Sequence, residues 1–261
     1  MKLSEAAMRA CCNPGSAMKA LLCFGLMALS SQLLAQNVIP TGTILPLQLN
    51  TTLRSGKARA GEQISARLMQ DVPLPGGNEI HSGAKILGHV ISATAARNGT
   101  RAEVSFRFDT LVSAKQRLPI ITNLRALATM MDVAAAQVPA SGPDRGTSWY
   151  TWTTDLIGGE ADYRGGGEVV HGSTVVGRSV PDGVLVQVSS KFGTKCRGAF
   201  GENNQLQALW VFASDACGLY GFPNAMLAHA GRSEPVGLIK IESGKRDLVI
   251  PGGSGMLLRV D

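Results

Sequence analysis

The stretch Ile39-Pro40-Thr41-Gly42-Thr43 recurs as Ile250-Pro251-Gly252-Gly253-Ser254, and more loosely as Ile80-His81-Ser82-Gly83-Ala84. Proline fixes φ and pushes the residue before it into an extended conformation. A glycine two positions later permits the positive φ that a type II turn requires. An apolar run follows each copy, so the repeat predicts a tight turn that leads into a strand. The first and last copies are candidates for neighbouring strands; the alternative is a common strand-entry signature that recurs by chance.

Composition favours β-structure with many turns. The chain has 261 residues, of which 44% are apolar and only 5% aromatic, with 31 glycines and 12 prolines. This length suits one large β-domain or two small ones. The net charge of +6 is spread along the sequence without a dense Lys/Arg run. We therefore predict an ordinary charged surface and no nucleic-acid partner.

Residues 1–35 are predicted to be a cleavable signal peptide. Lys2, Arg9 and Lys19 precede or flank an apolar core at residues 20–29, which is shorter than an ordinary membrane span. A retained anchor is the alternative. No later segment is long and apolar enough to predict a transmembrane helix. The expected location is therefore the periplasm or the outer envelope.

Two cysteines, Cys196 and Cys217, follow the predicted signal peptide. An isolated pair in an exported protein predicts one disulfide. Two free thiols or a metal site are the alternatives, and the absence of a histidine close in sequence disfavours the metal site.

Alternation of apolar and polar residues predicts strands along most of the chain. Phe106 and Phe108 are expected to face the core, and Asn98-Gly99 predicts a hairpin turn. Residues 224–230 are compatible with a strand or a short helix. The predicted strands cover residues 38–53, 63–70, 86–93, 101–111, 118–122, 183–190, 205–213, 236–242, 247–250 and 256–260.

Residues 38–122 resemble the C-terminal β-domain of VirB10/TrbI-like proteins, which are envelope components of type IV secretion and conjugation machines. The resemblance is carried by the run Ile39–Leu53, the strand that ends at Met69–Val72 and the segment Ile80–Gly88. The last twelve residues, 250–261, share it more weakly. It implies an envelope β-domain. The sequence departs from the family's pattern in one respect: a signal-like segment stands where the family has a cytoplasmic tail, an inner-membrane helix and a proline-rich periplasmic linker.

Residues 124–178 interrupt the strand pattern. Leu124 to Gln137 has apolar residues at helical spacing and predicts a helix, in which the Met130–Met131 pair would fill the core. Residues 139–178 predict a long loop rich in glycine and aromatic residues. Its aromatic side chains are candidates for binding a partner or glycan, and the alternative is that they pack over one end of the barrel. These candidates are Trp149, Tyr150, Trp152 and Tyr163.

No catalytic motif is found, and no cofactor or metal site is predicted. The histidines lie outside metal-binding motifs, although the fold could bring His171 to His229. Carboxylates in the 139–178 segment could serve a glycosidase, but they are expected to be solvated. They are Asp144, Asp155, Glu160, Asp162 and Glu168.

The sequence therefore predicts a mainly β protein, a barrel or sandwich of short antiparallel strands with one short helix and a long insertion. Its domains would be a signal peptide at 1–35 and a single β-domain at 36–261, with 124–178 as the insertion. The expected function is non-enzymatic, in envelope assembly or secretion- and conjugation-type complexes. A secreted protein that binds or acts on glycan or peptidoglycan is the alternative. Expected partners are envelope proteins or cell-wall glycan, and homo-oligomerisation is left open.

Overall fold

The computed structural model describes residues 39–97, 99–114, 116–140, 153–188, 205–244 and 246–261. Residues Ile39–Asp261 form one compact unit. The fold is mainly β with a barrel-like sheet, which confirms the predicted fold class. Among the described residues, no helix is long and apolar enough to cross a membrane.

The regular elements are short. A 3-10 turn covers Pro75–Gly77, and the α-helix, α1, covers Met130–Ala136. The strands are β1 (Ile44–Leu49), β2 (Leu53–Arg54), β3 (Gln63–Leu68), β4 (Val72–Pro73), β5 (Glu79–Ile80), β6 (Lys85–Thr94), β7 (Ala102–Ser113), β8 (Gln116–Pro119), β9 (Thr122–Ala128), β10 (Thr153–Asp155), β11 (Ala161–Tyr163), β12 (Glu168–His171), β13 (Thr174–Val180), β14 (Gly183–Gln187), β15 (Leu206–Ala208), β16 (Gly218–Tyr220), β17 (Ala225–Ala230), β18 (Ile239–Ser243), β19 (Val249–Ile250) and β20 (Gly255–Val260).

The main sheet is a nearly closed barrel with the strand order β16-β9-β20-β1-β3-β6-β7-β18-β17, and β8 adds to β7. Its neighbours are antiparallel except β16 and β9, which run parallel. The two end strands, β16 and β17, contact each other. The predicted hairpin forms between β6 and β7, where Arg97 and Thr100 make a bridge. Phe106 and Phe108 are buried inside the barrel with their rings edge to face.

The first and last copies of the repeat are neighbouring strands, as predicted. β1 pairs with β20 in antiparallel register, with Leu47 opposite Met256. The two copies dock symmetrically: Gly42 donates its N–H to the carbonyl of Val260 at 2.8 Å, and Gly253 donates to that of Leu49 at 2.7 Å. Both glycines have positive φ, 93° and 88°. Each turn thus caps the end of the strand that the other copy leads into.

The same turn occurs five times in the described part of the chain, which is more often than the sequence repeat indicates. In every case a glycine with positive φ donates its N–H to a carbonyl in a neighbouring strand or directly after it, and the next residue closes the turn. Three of the five lack the full Ile-Pro-x-Gly motif: the turn at 81–84 lacks the proline, the turn before β3 lacks both the isoleucine and the proline, and the turn before β18 lacks the isoleucine. The five turns are 40–43, 59–62, 81–84, 235–238 and 251–254.

A second antiparallel sheet, β10-β11-β12-β13-β14-β15, packs against the outside of the barrel. The segment predicted as a long loop at 139–178 therefore contains strands β10–β13 in its described part, which corrects that prediction. These strands are short and separated by glycine-containing turns, so the alternation of apolar and polar residues is too brief to be recognised in the sequence. The interface has its own core, to which the barrel contributes Ile44, Ala126 and Leu257, while the second sheet contributes Val169 and Val184.

The prediction of a helix at 124–137 was wrong in its first part. Residues up to Ala128 belong to barrel strand β9, and α1 begins only at Met130. β9 is buried along its whole length because one face lies in the barrel and the other in the interface core. A bulge skips Arg125, so that Leu257 faces Ala126 and Leu258 faces Leu124. The extra residue puts Leu124 and Leu127 on one face, three residues apart, which imitates helical spacing.

Two buried glutamines connect the barrel to the second sheet. Gln70, two residues after β3, donates to the carbonyl of Val184 at 2.9 Å and accepts from the Trp210 N–H at 2.7 Å. Gln207, in β15, accepts from the Ile44 N–H at 3.1 Å. A buried amide that satisfies backbone groups on both sides fixes the relative position of the two layers.

Candidate functional site

Two fully buried carboxylates distinguish the second sheet. Glu160 stands just before β11 and Asp162 is in its middle, and both were expected to be solvated. That expectation is correct for Asp155 and Glu168, which are exposed. Burial of a carboxylate is costly unless hydrogen-bond donors or cations compensate for the lost water. The polar groups around Glu160 and Asp162 therefore define the candidate site.

Asp162 is held by side chains from three strands or turns. The Ser179 hydroxyl donates to Oδ1, and the Thr154 hydroxyl donates to Oδ2 at 3.4 Å. The Arg164 guanidinium lies 2.9 Å from Oδ2. Burial raises the pKa of Asp162 above its ordinary value, and the contacts from Ser179 and Arg164 only partly oppose that rise.

The raised pKa gives a testable pH dependence. A carboxyl whose folded pKa lies above its unfolded value takes up a proton more readily when folded, so it adds stability as the pH falls. We expect the free energy of unfolding of the wild type, relative to Asp162→Asn, to increase as the pH is lowered from neutral towards the ordinary pKa of 3.8. Urea unfolding of both proteins across this range measures the difference. A constant difference would contradict the burial argument.

Arg164 also lines a cavity of about 260 Å³ between the two sheets and the end of α1. Trp210 forms part of its wall and has a φ of 56°, a conformation that a bulky side chain rarely adopts. The cavity combines apolar walls with hydrogen-bonding groups, as small-molecule sites do. Its lining residues are Met69, Gln137, Thr154, Arg164, Asp182, Trp210 and Val211.

Glu160, two residues before Asp162, forms a second buried polar group. Its carboxylate accepts hydrogen bonds from the Ser214 N–H at 2.8 Å and from the Ser214 hydroxyl. His171, at the end of β12, places Nδ1 3.2 Å from Glu160 Oε1. The side chain of Asp215 lies beside them.

Buried Arg125 holds the loop that carries Ser214 and Asp215 in place. Its guanidinium donates to the carbonyls of Ser214 at 2.7 Å and Ala216 at 3.0 Å. Burial lowers the pKa of Arg125 to about 10, with the nearby Asp215 opposing the change, so the side chain remains charged at neutral pH. The bulge in β9 that misled the helix prediction is what directs this side chain at the 214–216 loop.

Helix α1 presents an apolar surface to solvent. Met131 is 71% exposed, and Met130 and Val138 are also exposed, while Val133 and Ala136 anchor the helix in the interface core. The prediction that the methionine pair fills the core was therefore wrong. A helix of seven residues buries only one narrow face, and both methionines lie off that face.

Most of the residues singled out from sequence do not meet at one place. Tyr163 is exposed on the outer side of β11, and His229 bonds to the Leu238 carbonyl while His171 bonds to Glu160. Cys217 is buried and disulfide-bonded. Its predicted partner Cys196 lies outside the described residues, so that pairing stays a prediction. The same holds for the roles of Trp149, Tyr150 and Trp152, which also lie outside them.

Sequence reasoning missed Arg125, Arg164 and Ser214. The only signal for Arg125 was an arginine within an apolar run, and Ser214 carried none. Comparison with known proteins adds no identity: no family model, no curated protein and no solved structure matches this chain.

Proposed function

We propose that this chain is an exported, non-enzymatic envelope protein that acts by binding other proteins, in envelope assembly or in secretion- and conjugation-type complexes. The observation that carries the proposal is the apolar surface formed by Met130, Met131 and Val138, called here the helix surface. The resemblance of residues 38–122 to VirB10/TrbI-like domains supports the envelope setting. The signal-like segment at 1–35 supports export.

The position of the helix surface agrees with a binding role. α1 follows β9 directly, so it is fixed to the barrel wall, and the Thr129 side chain caps its first turn by accepting from the Asp132 N–H. Exposed methionines are adaptable apolar contacts and are common at binding surfaces. A helix that is fixed to the barrel and carries flexible apolar side chains suits recognition of a protein surface.

Site-specific crosslinking tests this proposal. A photo-crosslinking amino acid at position 131, in the full chain expressed in its source cells, should give adducts with envelope proteins. The protein should also be recovered from the envelope fraction without residues 1–35. In a separate pull-down, Met131→Glu should reduce recovery of the same partners by about tenfold or more, since it places a charge in an apolar contact that must be desolvated.

Met226 provides the matched control. It lies in β17 on the barrel and is 52% exposed, so it is a solvent-facing methionine away from α1. Crosslinking at position 226 and the variant Met226→Glu should leave partner capture as in the wild type. Loss of capture in both variants, or in neither, would refute the helix surface as the binding site. Recovery of the protein from the cytoplasm with residues 1–35 intact would refute export.

The cavity beside Arg164 favours a second candidate, binding of a cell-wall glycan or peptidoglycan. Its polar groups and its apolar wall could hold a sugar ring. Asp182→Gly removes one lining carboxylate at a φ of 66°, where glycine is unstrained. Binding to insoluble peptidoglycan that weakens in Asp182→Gly and in Trp149→Ala/Trp152→Ala, but not in Met131→Glu, would favour this candidate over the first.

A further inference from the structure

Three side chains with metal-binding groups lie close together at one place in the second sheet and the loop after β15. Glu160, His171 and Asp215 each offer one ligand atom, and these atoms lie within 4.8 Å of one another. They come from the turn before β11, the end of β12 and the loop after β15. Because they are far apart in sequence, they do not form a recognisable sequence motif. We propose that these three residues bind a divalent transition-metal ion of the zinc class, a role separate from the helix surface and the cavity.

The separation between two of the ligands suits a shared ion. Two atoms that coordinate one metal at about 2.0–2.2 Å are separated by about 3 to 3.5 Å in tetrahedral or octahedral geometry. His171 Nδ1 and Glu160 Oε1 are 3.2 Å apart. An ion between them would replace the hydrogen that the pair shares and would draw in the Asp215 carboxylate.

Glu160 is positioned as metal-ligating carboxylates are. It is 1% exposed, and both of its oxygens accept hydrogen bonds from Ser214, through the backbone N–H and the hydroxyl. Such outer contacts fix the direction of a ligand and are a regular part of metal sites. Arg125 in turn holds the carbonyls of Ser214 and Ala216, so the support extends into the barrel wall.

A glycine allows the ligand loops to approach each other. Gly158 has a φ of 123°, and a Cβ at this position would lie 2.7 Å from the Cβ of Ala213 and 3.4 Å from Asp215 Oδ1. The close approach is fixed by the bond from the Ala213 N–H to the Ile157 carbonyl at 2.9 Å. The fold thus brings Glu160 to Asp215 through packing that any side chain at 158 would disturb.

The buried charge of Glu160 and the exposure of His171 also favour a cation at this site. Within the described part of the chain, His171 is the ion-pair partner of Glu160, and no Lys or Arg is within salt-bridge distance of that carboxylate. A bound cation would balance the buried charge. The His171 side chain is 57% exposed, so an ion could enter from solvent and keep a water ligand. One imidazole with two carboxylates favours Zn²⁺ over Ca²⁺ or Mg²⁺, which prefer oxygen ligands.

The chain contains its own comparison site. Asp71, Glu79 and His81 are the same three residue types within the same distance limit, but all three are exposed. His81 Nδ1 lies 3.3 Å from Glu79 and 3.9 Å from Asp71. Exposed carboxylates must lose side-chain freedom and water when they bind an ion. We therefore expect this group to bind far more weakly than the one around buried Glu160.

Titration calorimetry with Zn²⁺ on the chelator-treated full chain tests the proposal. The wild type should bind one ion tightly, and Ca²⁺ under the same conditions should give no comparable heat. His171→Ala and Asp215→Asn should each weaken Zn²⁺ binding by about tenfold or more, while His81→Ala should bind as the wild type does. Co²⁺ added to the wild type should give an absorption spectrum that His171→Ala lacks, a signal that a purely structural histidine would not produce.

His171→Ala and His81→Ala should both fold, because the His171 side chain is largely exposed and the His81 side chain is even more exposed. Their circular dichroism spectra should match that of the wild type. The metal-free melting temperature of His171→Ala measures separately the loss of the contact with buried Glu160. If two ions bind to the wild type, loss of only the tighter one in His171→Ala still supports the site. Absence of tight Zn²⁺ binding, or its loss in His81→Ala but not in His171→Ala, would overturn the proposal.

Discussion

Arg125→Met is expected to lower the free energy of unfolding by about 3–5 kcal/mol, because it leaves two buried carbonyl groups without their charged donor. Arg125 is fully buried and satisfies the carbonyls of Ser214 and Ala216. Methionine is apolar and of similar length, so it would fill the space but leave both acceptors without these donors. Each unsatisfied buried acceptor costs about 1–3 kcal/mol. Urea unfolding followed by circular dichroism measures the loss.

The matched control is Arg67→Met. Arg67 is exposed in β3 and donates to the side chain of Gln48 at 3.2 Å. Exposed polar contacts of this kind contribute about 0.5 kcal/mol or less, so this variant should unfold nearly as the wild type does. If Arg125→Met lowers the free energy of unfolding by less than about 1 kcal/mol, water has replaced the guanidinium as the hydrogen-bond donor to the two carbonyls.

The same substitution has a local effect that hydrogen exchange can detect. The 213–216 loop is held on one side by Arg125 and on the other by the bond from the Ala213 N–H to Ile157. Without the guanidinium, we expect the Ala213 and Ser214 amides to exchange faster than those of β3. An equal increase everywhere would indicate global destabilisation without a specific role for the loop.

The barrel was predictable because its signal is local. In each of the three copies of the repeat, the turn with its glycine and the following apolar run lie within about ten residues, and alternation continues through β3, β6 and β7. The pairing of β1 with β20 followed from the similarity of their leading turns. The two further turns, at 59–62 and 235–238, keep the glycine but lose part of the motif around it. The turns at 59–62 and 81–84 have the glycine without a proline, so the positive φ of the glycine is the feature that all five turns share.

Other parts of the fold were hidden for physical reasons. β9 is buried on both faces and bulged at Arg125, so its apolar residues do not alternate. The strands β10–β12 are three or four residues long, too short for a period of two to stand out from chance. The site around Glu160 depends on contacts between residues 54 positions apart, such as that with Ser214. No local pattern encodes such a contact.

Gly88→Ala is expected to destabilise the barrel by about 3 kcal/mol or more, at the upper end of what overpacking costs. Gly88 lies in β6 opposite a bulge in β7 that skips Asp109. A Cβ at Gly88 would lie 2.0 Å from the Arg107 carbonyl oxygen and 2.9 Å from the Phe108 Cα. Both are backbone atoms, so no side-chain rotation can relieve the clash. Thermal and urea unfolding would measure the change.

Two other glycines separate the possible causes of that loss. A Cβ added at Gly244 would meet no atom within 4 Å, and the φ of this residue is not positive, so Gly244→Ala should be neutral or slightly stabilising. Gly83 also has open space around it but a φ of 83°, so Gly83→Ala should cost about 1–2 kcal/mol through backbone strain alone. If Gly88→Ala costs no more than Gly83→Ala, the two strands can separate at the bulge, and the close approach of β6 to β7 is not needed to close the barrel.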